Sequence, residues 1–424
     1  MLHPVKRWRR LLMAAMTLVA FVTCLMSRQI YSNEVYYTLQ TDAETDVEVD
    51  YDVSPEDLKP LPENWRGLTQ AQISNMSTLG RRLFLEDMSA SPRLDKNFTI
   101  LVWKHGPALE RRHIMRHDPF GECSVSNCRL TYDSADLKKA DAVLFHLHRT
   151  PGRTALPERH AHASQRWVFL TDENPFHTFT LSGGTPHMRD FNGLFNWSMT
   201  YRMDSDVPVP SGRTLPLNEE ERMGHRKLRR KRKNKVAAIM VSNCGGKNHR
   251  FDYVQQLQKH MHVDVYGTCG PLKCEGHFAM DCPKLDAYKF YLAFENGDCR
   301  EYVTEKAWWN GYHKGAVPVI MGASLEECAR ILPPKSYLHV RNFSSPASLA
   351  RYLMYLAESP TEYARLHHWR RRFKVVNEHG YFQSPVHHYC RLCEALNYND
   401  PSPKVYDDLE RFWSTERDCY ESVI

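Results

Sequence analysis

The sequence predicts an α/β protein built on parallel sheets, and three observations predict it. The first is the run KFYLAF (289–294), apolar or aromatic almost throughout, as expected of a strand buried on both faces. The second is the pattern just beyond that run. Gly297 and Asp298 break it, a helical segment covers roughly 302–313, and the short apolar strand VPVIM (317–321) ends at Gly322. Asp298 or Thr304 is placed to cap the helix and Gly315 to close it. Strand, helix, strand at this length is one βαβ unit. The third is an earlier alternation, with strands expected at 99–103, 142–147 and 167–170 and helix-forming residues near 137–140. A chain of 424 residues holds two such domains and further attachments.

In a parallel unit, ligands sit beyond the carboxyl ends of the strands, opposite the helix N-terminus. Here that rim carries Asn296, Arg300, Tyr302, Glu305 and Lys306. A helix N-terminus favours phosphate, an adjacent lysine adds a full positive charge, and a nearby carboxylate accepts hydrogen bonds from ribose hydroxyls. These residues suit a nucleoside diphosphate. They equally suit an exposed Glu305–Lys306 pair on a helix surface.

The longer string carries more. FYLAFENG, YVTEK and GAVPVIMG, between Phe290 and Gly322, closely resemble the signature of the α1,3-fucosyltransferases, glycosyltransferase family 10, which use GDP-fucose. The family pattern has Ser after the Asn, where this chain has Gly297. The resemblance implies a GT-B architecture, in which two Rossmann-like domains face each other across a cleft and the second holds the donor.

Residues 1–10 contain Lys6, Arg7, Arg9 and Arg10, and the stretch 11–26 is apolar apart from two threonines. No small-residue cleavage site comes after it. With flanking residues through Ile30 the stretch is long enough for a thin early-secretory membrane. It reads as a signal anchor (11–30) with a cytosolic tail (1–10), the rest being lumenal in a single-pass type II orientation in the Golgi. The competing reading is a cleaved signal peptide. Residues 31–95, densest in acids over 42–57, read as a solvated stem. Glycosylation acceptor sequences begin at Asn75, Asn97, Asn196 and Asn342.

The amino-terminal domain is expected over 96–220. Its third strand runs into Thr171-Asp172-Glu173-Asn174-Pro175, where a carboxylate on a loop leaving a parallel strand faces a cleft. In the family, the Glu of a Glu-Ser-Pro element here is the proposed catalytic base, and Glu173 matches it, with Asn174 in place of Ser. Residues 195–212 resemble the family's second signature; Tyr201, Arg202, Asp204 and Asp206 line the cleft or pin the junction, the latter favoured. A basic linker (221–235) comes next. Nine Lys/Arg in 222–235, set against a total of +6, leave the remaining chain at −3. Without interleaved aromatics, such a confined run argues against a nucleic-acid partner. The carboxy-terminal domain is expected over 236–375, with strands at 236–241 and 262–266. Arg250 fits the family element that supplies an arginine to the diphosphate. VYGTCGPLKC (265–274) most resembles invertebrate and plant enzymes that fucosylate the N-glycan core.

Eleven of the twelve cysteines lie beyond the anchor, an odd number for an oxidising lumen, so at least one is free or intermolecular. Cys390-x-x-Cys393 invites a redox motif, which lacks a fitting βαβ context, or half a zinc site, which would need Cys269 and Cys274 nearby. The family ties this pair back to the first domain, with Cys123 and Cys128 the candidates, so residues 376–424 are expected to pack there.

The resemblance implies inverting transfer of L-fucose from GDP-fucose to a GlcNAc hydroxyl of a glycoprotein glycan, in α1,3 linkage, the N-glycan core being favoured. Glu173 would be the base. Arg250 and Lys306 would hold the diphosphate, Glu305 the ribose, and Asn296 and Tyr302 would shape the donor pocket. No metal ligand set is expected, since the one Asp-x-Asp element (204–206) lies in the first domain. No cofactor is obligatory on this reading, with manganese a stimulant rather than a requirement. The alternatives are a catalytically silent glycan-binding Golgi protein of the same fold, or a transferase of another GDP-sugar.

Overall fold

The structure is a computed structural model that describes residues 47–49, 61–104, 119–121, 123–158, 161–224, 228–230, 233–276, 280–379 and 387–421. The expected tail and anchor, residues 31–46 and 50–60 of the expected stem, and part of the basic run lie outside the described residues. The rest of the stem range departs from the solvated tether expected of it: Leu68, Leu79, Leu83 and Phe84 are buried in the core of the first sheet. Among the described residues no helix is long and apolar enough to cross a membrane. Val47–Val49 and Leu228–Arg230 pair antiparallel, Val47 opposite Arg230, within a small compact unit of their own. The larger unit comprises residues 50–227 and 233–424.

Its first sheet has six strands: β1 (Phe98–Val102), β2 (Cys128–Thr131), β3 (Ala142–His146), β4 (Arg166–Thr171), β5 (Trp197–Thr200) and β6 (Val207–Pro208). Their order is β2-β1-β3-β4-β5-β6, all parallel. The three expected strands are β1, β3 and β4, each within a residue or so of its place. All of β3 and β4 is buried, which is why they read as continuous apolar runs. The other three are short or edge strands. CRLT in β2 leaves Arg129 exposed, so no unbroken apolar run announces it. Helix α1 (Thr78–Leu85), capped by Ser77, lays Leu79 and Leu83 on one face of this sheet against Ile100, Leu144 and Val168. On the other face Phe145 and Phe169 meet Phe191 and Phe195.

After β7 (Gly212–Pro216) comes a second sheet: β8 (Lys235–Met240), β9 (Asp264–Tyr266), β10 (Tyr288–Phe294), β11 (Val317–Met321) and β12 (Leu338–His339). The order is β9-β8-β10-β11-β12, again all parallel. The chain passes from β8 to one side and then returns to the other, so the strand order reverses between β8 and β10. Loops leaving those two strands flank the crevice where an open parallel sheet binds its ligand. Helices α2 (Arg250–Gln258) and α4 (Pro346–Glu358) cover one face through Val254, Leu257, Leu349 and Leu353.

The helix between β10 and β11 differs from its expected form. Thr304 is the N-cap, α3 spans only Glu305–Ala307, and the turn widens into a π-helix over Trp308–His313. Asp298 does not cap it; its Oδ1 accepts from Asn248 Nδ2 at 2.6 Å. Gly315 ends the segment at φ +68°, in the left-handed region as a helix terminus requires. Gly212, at the start of β7, admits no side chain, because a Cβ there would stand 2.5 Å from the Trp308 ring. Strand β7 pairs antiparallel with the last strand, β13 (Phe373–Asn377).

Helix α5 (His388–Tyr398) packs Tyr389, Leu392 and Leu396 into the core of the first sheet. It is fastened there by Cys123–Cys390 and Cys128–Cys393, so Cys390-x-x-Cys393 is neither a redox pair nor half a zinc site. Cys269 and Cys274 are bonded to Cys244 and Cys282, and Cys299 joins Cys419. Cys328 is a buried free thiol, the odd cysteine of the count.

The first two bridges link residues on either side of Arg229-Arg230-Lys231-Arg232, a sequence with the form of a secretory processing site. Where the chain is cut there, the two fragments are expected to run together on a denaturing gel and to separate only with reductant. Separation without reductant would show that neither bridge forms.

Candidate active site

Strand β4 ends at Thr171 and releases Asp172 to Pro175, where Pro175 opens a single turn of 3-10 helix behind Asn174. The two carboxylates of this loop face different partners. Glu173 Oε2 accepts from Tyr302 Oη at 3.1 Å and from Asn296 Nδ2 at 3.3 Å, both belonging to the second sheet's rim. Asp172 Oδ2 meets His379 Nε2 at 3.1 Å and its Oδ1 stands 3.8 Å from His146 Nε2. Adjacent residues leaving a strand point to opposite sides, and only Glu173 reaches the rim. Tyr302 is buried and tilted against Tyr201, ring centres 4.9 Å apart. Burial, reinforced by the Glu173 carboxylate, pushes its phenol well above the ordinary range, so it remains a donor.

On the second sheet, Arg250 opens α2 and is 4% exposed. Its Nη1 donates to Phe294 O and its Nη2 to Asn243 O, both at 3.0 Å. Its buried Nε has no hydrogen-bond partner among the described residues. Burial draws its pKa below the usual arginine value, with Glu295 opposing. A buried guanidinium hydrogen-bonded only to neutral carbonyls is poorly compensated, and a phosphate oxygen would complete it.

Lys306 is differently placed. Its Nζ lies 2.8 Å from Thr304 Oγ1, 2.9 Å from Glu295 Oε2 and 3.2 Å from Glu305 Oε1, which uses all three of its donors. Burial disfavours this ammonium, but Glu295 and Glu305 outweigh it and hold its pKa above the ordinary lysine value. Glu295 is fully buried and accepts from Thr304 N at 2.8 Å; burial raises its pKa despite Lys306. The lysine of the expected rim therefore rests on a buried acid that the sequence did not single out, because Glu295 reads there as the polar end of a strand.

The structure thus brings Glu173, Asn296 and Tyr302 into direct contact and sets Arg250, Glu305 and Lys306 on the same rim. The backbone joins the two groups, since Lys247 N donates to Asn296 O at 3.2 Å and Gly246 lies against both Arg250 and Asn296. Arg300 turns its Nη2 toward the junction, pairing with Asp204 at 3.1 Å and Glu301 at 3.4 Å. Arg202 is fully buried between Asp204 and Asp418, and Asp206 holds Ser198, Tyr406 and Lys404, so these three pin the junction. Tyr201 of that signature touches the site through Tyr302. His177, unmarked by the sequence, donates from Nδ1 to Asn174 Oδ1 (2.9 Å), and burial lowers its pKa against the pull of Glu173. Asn75, Asn97 and Asn342 are exposed, whereas Asn196 is half-buried with its amide spent on Trp167 N and Lys404 O.

Two departures from the family pattern, Asn174 and Gly297, prove to be neighbours. Asn174 Nδ2 donates to Asn296 Oδ1 at 2.7 Å, joining the base loop to the donor rim. A Cβ on Gly297 would stand 3.0 Å from both that nitrogen and Phe176 Cδ2. Gly297→Ser is expected to cost about 1–2 kcal/mol by overpacking, and Asn174→Ser in the same chain to recover about 1 kcal/mol of it. Thermal unfolding of the two single variants and the double checks this; strictly additive losses would show that the residues do not couple.

Two parallel sheets set a carboxylate from one against a rim on the other whose buried arginine suits a phosphate, an arrangement fitted to group transfer from a phosphate-bearing donor. Residues 230–413 match the model of glycosyltransferase family 10 (fucosyltransferase), C-terminal part, and residues 95–212 match that of the fucosyltransferase N-terminal part. The chain is 34% identical over 325 residues to the α-(1,3)-fucosyltransferase 7 of Rattus norvegicus, covering 76% of this chain and 81% of that protein. It is 32% identical over 297 residues to the glycoprotein 3-α-L-fucosyltransferase A of Drosophila melanogaster, covering 69% of this chain and 55% of the fly protein, little more than half its length. A crystal structure of α1,3-fucosyltransferase with GDP-fucose aligns over 79% of this chain and 98% of its own, at 17% identity and a TM-score of 0.45. The chain belongs to glycosyltransferase family 10, the fucosyltransferases, and is an enzyme of that class.

Proposed function

We propose that this enzyme transfers L-fucose from GDP-fucose to a GlcNAc hydroxyl of a glycoprotein glycan, in α1,3 linkage and with inversion at the anomeric carbon. The observation that carries the reading is the meeting of Glu173 with a rim whose buried Arg250 lacks an anion. Glu173 takes the proton of the acceptor hydroxyl as the oxygen attacks the anomeric carbon and the bond to GDP breaks. Both of its hydrogen bonds fall on Oε2, which leaves Oε1 to act. Arg250, Lys306 and the N-terminus of α2 offset the charge that develops on the departing diphosphate. Glu305 serves the ribose: a diphosphate drawing on Lys306 releases Glu305 from it. Asn296 and Tyr302 hold the base and border the fucose.

The two sheets are, on this reading, the two domains of a GT-B enzyme (96–220 and 236–375), with 376–424 returning to the first. An anchor at 11–30 holds the catalytic part in the Golgi lumen. Incubation of the purified chain with GDP-fucose and defined N-glycans tests the activity, and failure to release GDP with any GlcNAc acceptor would refute it.

The acceptor favoured is the N-glycan core, with fucose on O3 of the reducing-end GlcNAc. The resemblance of residues 265–274 supports this, and the likeness to the fly glycoprotein enzyme supports a glycoprotein acceptor. The labelled product is expected to resist a glycan-releasing amidase that core α1,3-fucose blocks. Complete release would move the reaction to antennal GlcNAc.

A further inference from the structure

We propose that Asp172, His379 and His388 form a binding site for one divalent cation of the zinc class. One candidate ligand atom from each of the three side chains lies within 4.8 Å of the others. The residues come from separate parts of the fold: the loop after β4, the turn after β13 and the first turn of α5. Asp172 and His379 side chains are 10% and 13% exposed, and His388 is 2% exposed, so this is an interior cluster rather than a surface gathering of acids.

The spacing suits a metal. Two ligands about 2.0–2.1 Å from a tetrahedral zinc stand about 3.3 Å apart, and Asp172 Oδ2 lies 3.1 Å from His379 Nε2. The two imidazoles face each other, ring centres 3.8 Å apart and planes 31° from parallel. His379 Nδ1 is buried and has no hydrogen-bond partner among the described residues, so the ring's one described polar contact is that of its Nε2 with Asp172. Among the described residues, His146 Nε2 stands 3.8 Å from Asp172 Oδ1, and the charges next along the chain are already paired. Glu378 lies between Arg213 and Arg391, and Arg391 also meets Glu394 at 2.6 Å. Two imidazoles with one carboxylate select zinc over magnesium or calcium, which prefer all-oxygen shells, and over manganese by the general order of affinities.

The site is not a donor-phosphate metal site. Asp172 faces the histidines while Glu173 faces Asn296 and Tyr302, so the cation fastens the base loop to the C-terminal segment. This goes beyond the proposed transfer reaction and stands or falls separately from it.

The full chain, stripped with chelator and exchanged into metal-free buffer, is titrated with Zn²⁺ by calorimetry, with Mn²⁺ and Mg²⁺ as comparisons. Zinc retained after gel filtration is counted by elemental analysis. One zinc per chain is expected, bound at least about tenfold more tightly than manganese, with a rise in melting temperature. His379→Gln/His388→Gln is expected to lose that zinc, and Asp172→Asn to bind it more weakly; near-UV circular dichroism confirms that the variants are folded. Wild-type chain that retains no zinc, or a folded double variant that keeps the same stoichiometry and affinity, would overturn the proposal. GDP release from GDP-fucose in the presence of a GlcNAc acceptor, measured on the chain as purified before stripping, reports on the transferase reading, while zinc stoichiometry reports on the site.

Discussion

Replacing Glu173 with glutamine is expected to lower turnover by about 10² to 10⁴, the usual loss when a general base is removed. A sugar hydroxyl has a very high pKa, so at neutral pH it attacks only as its proton is taken. Glutamine preserves the size of the side chain and keeps an acceptor for the Tyr302 hydroxyl, which lies 3.1 Å from Glu173 Oε2. The fold and the melting temperature should therefore change little. GDP affinity should also hold, because Arg250 and Lys306 belong to the other sheet. A structural acid would show the reverse, with poor secretion or lower thermal stability and a modest kinetic change. Asp172→Asn is the local comparison. Its carboxylate is committed to His379 and His146, so its loss should act on stability first. Near-normal turnover in folded Glu173→Gln, beside inactive Asp172→Asn, would move the base to Asp172.

What the sequence discloses about this fold depends on burial. β10 and β11 lie inside their sheet with both faces covered, so their apolar runs mark them to within a residue. β2, β5 and β6 are short, and β2 lies at an edge where polar residues are tolerated; no run distinguishes them from loops. The helix after β10 was legible as a helix, but its π-turn was not, because periodicity does not separate a wide turn from an ordinary one. In the site, the family resemblance pointed to Glu173 and Arg250, and Asn296, Tyr302, Glu305 and Lys306 stand out by their place in the βαβ unit. Their connections do not. Glu295 beneath Lys306, Asn174 against Gly297, and the commitment of Arg300 to Asp204 all depend on residues distant in sequence. The pairing of Cys123 and Cys128 with Cys390 and Cys393 was implied by the family resemblance. Cys244–Cys269, Cys274–Cys282 and Cys299–Cys419 had no such guide.

Arg250→Ala and Lys306→Ala are each expected to weaken GDP binding about tenfold to a hundredfold, the loss of a charge-assisted contact of about 1.5–3 kcal/mol. They should differ in what they do to the empty protein. Arg250 is hydrogen-bonded to carbonyl groups, so its removal leaves two buried acceptors short of a donor but no unpaired charge. Lys306 neutralises Glu295, whose side chain is only 2% exposed, and its removal leaves that acid uncompensated. Breaking a buried pair from one side costs about 3–5 kcal/mol, so Lys306→Ala should melt well below wild type. Protonation relieves the stranded acid, so that deficit should shrink as the pH falls; Glu295 already has a raised pKa and would go higher without its lysine. Combining Lys306→Ala with Glu295→Gln removes both charges and should restore much of the melting temperature while leaving GDP affinity low. Calorimetric titration with GDP and thermal unfolding on the same preparations separate the two roles. Undiminished GDP binding by both single variants would exclude these residues from the donor site, and a double variant that regained affinity along with stability would reduce Lys306 to a support for the fold.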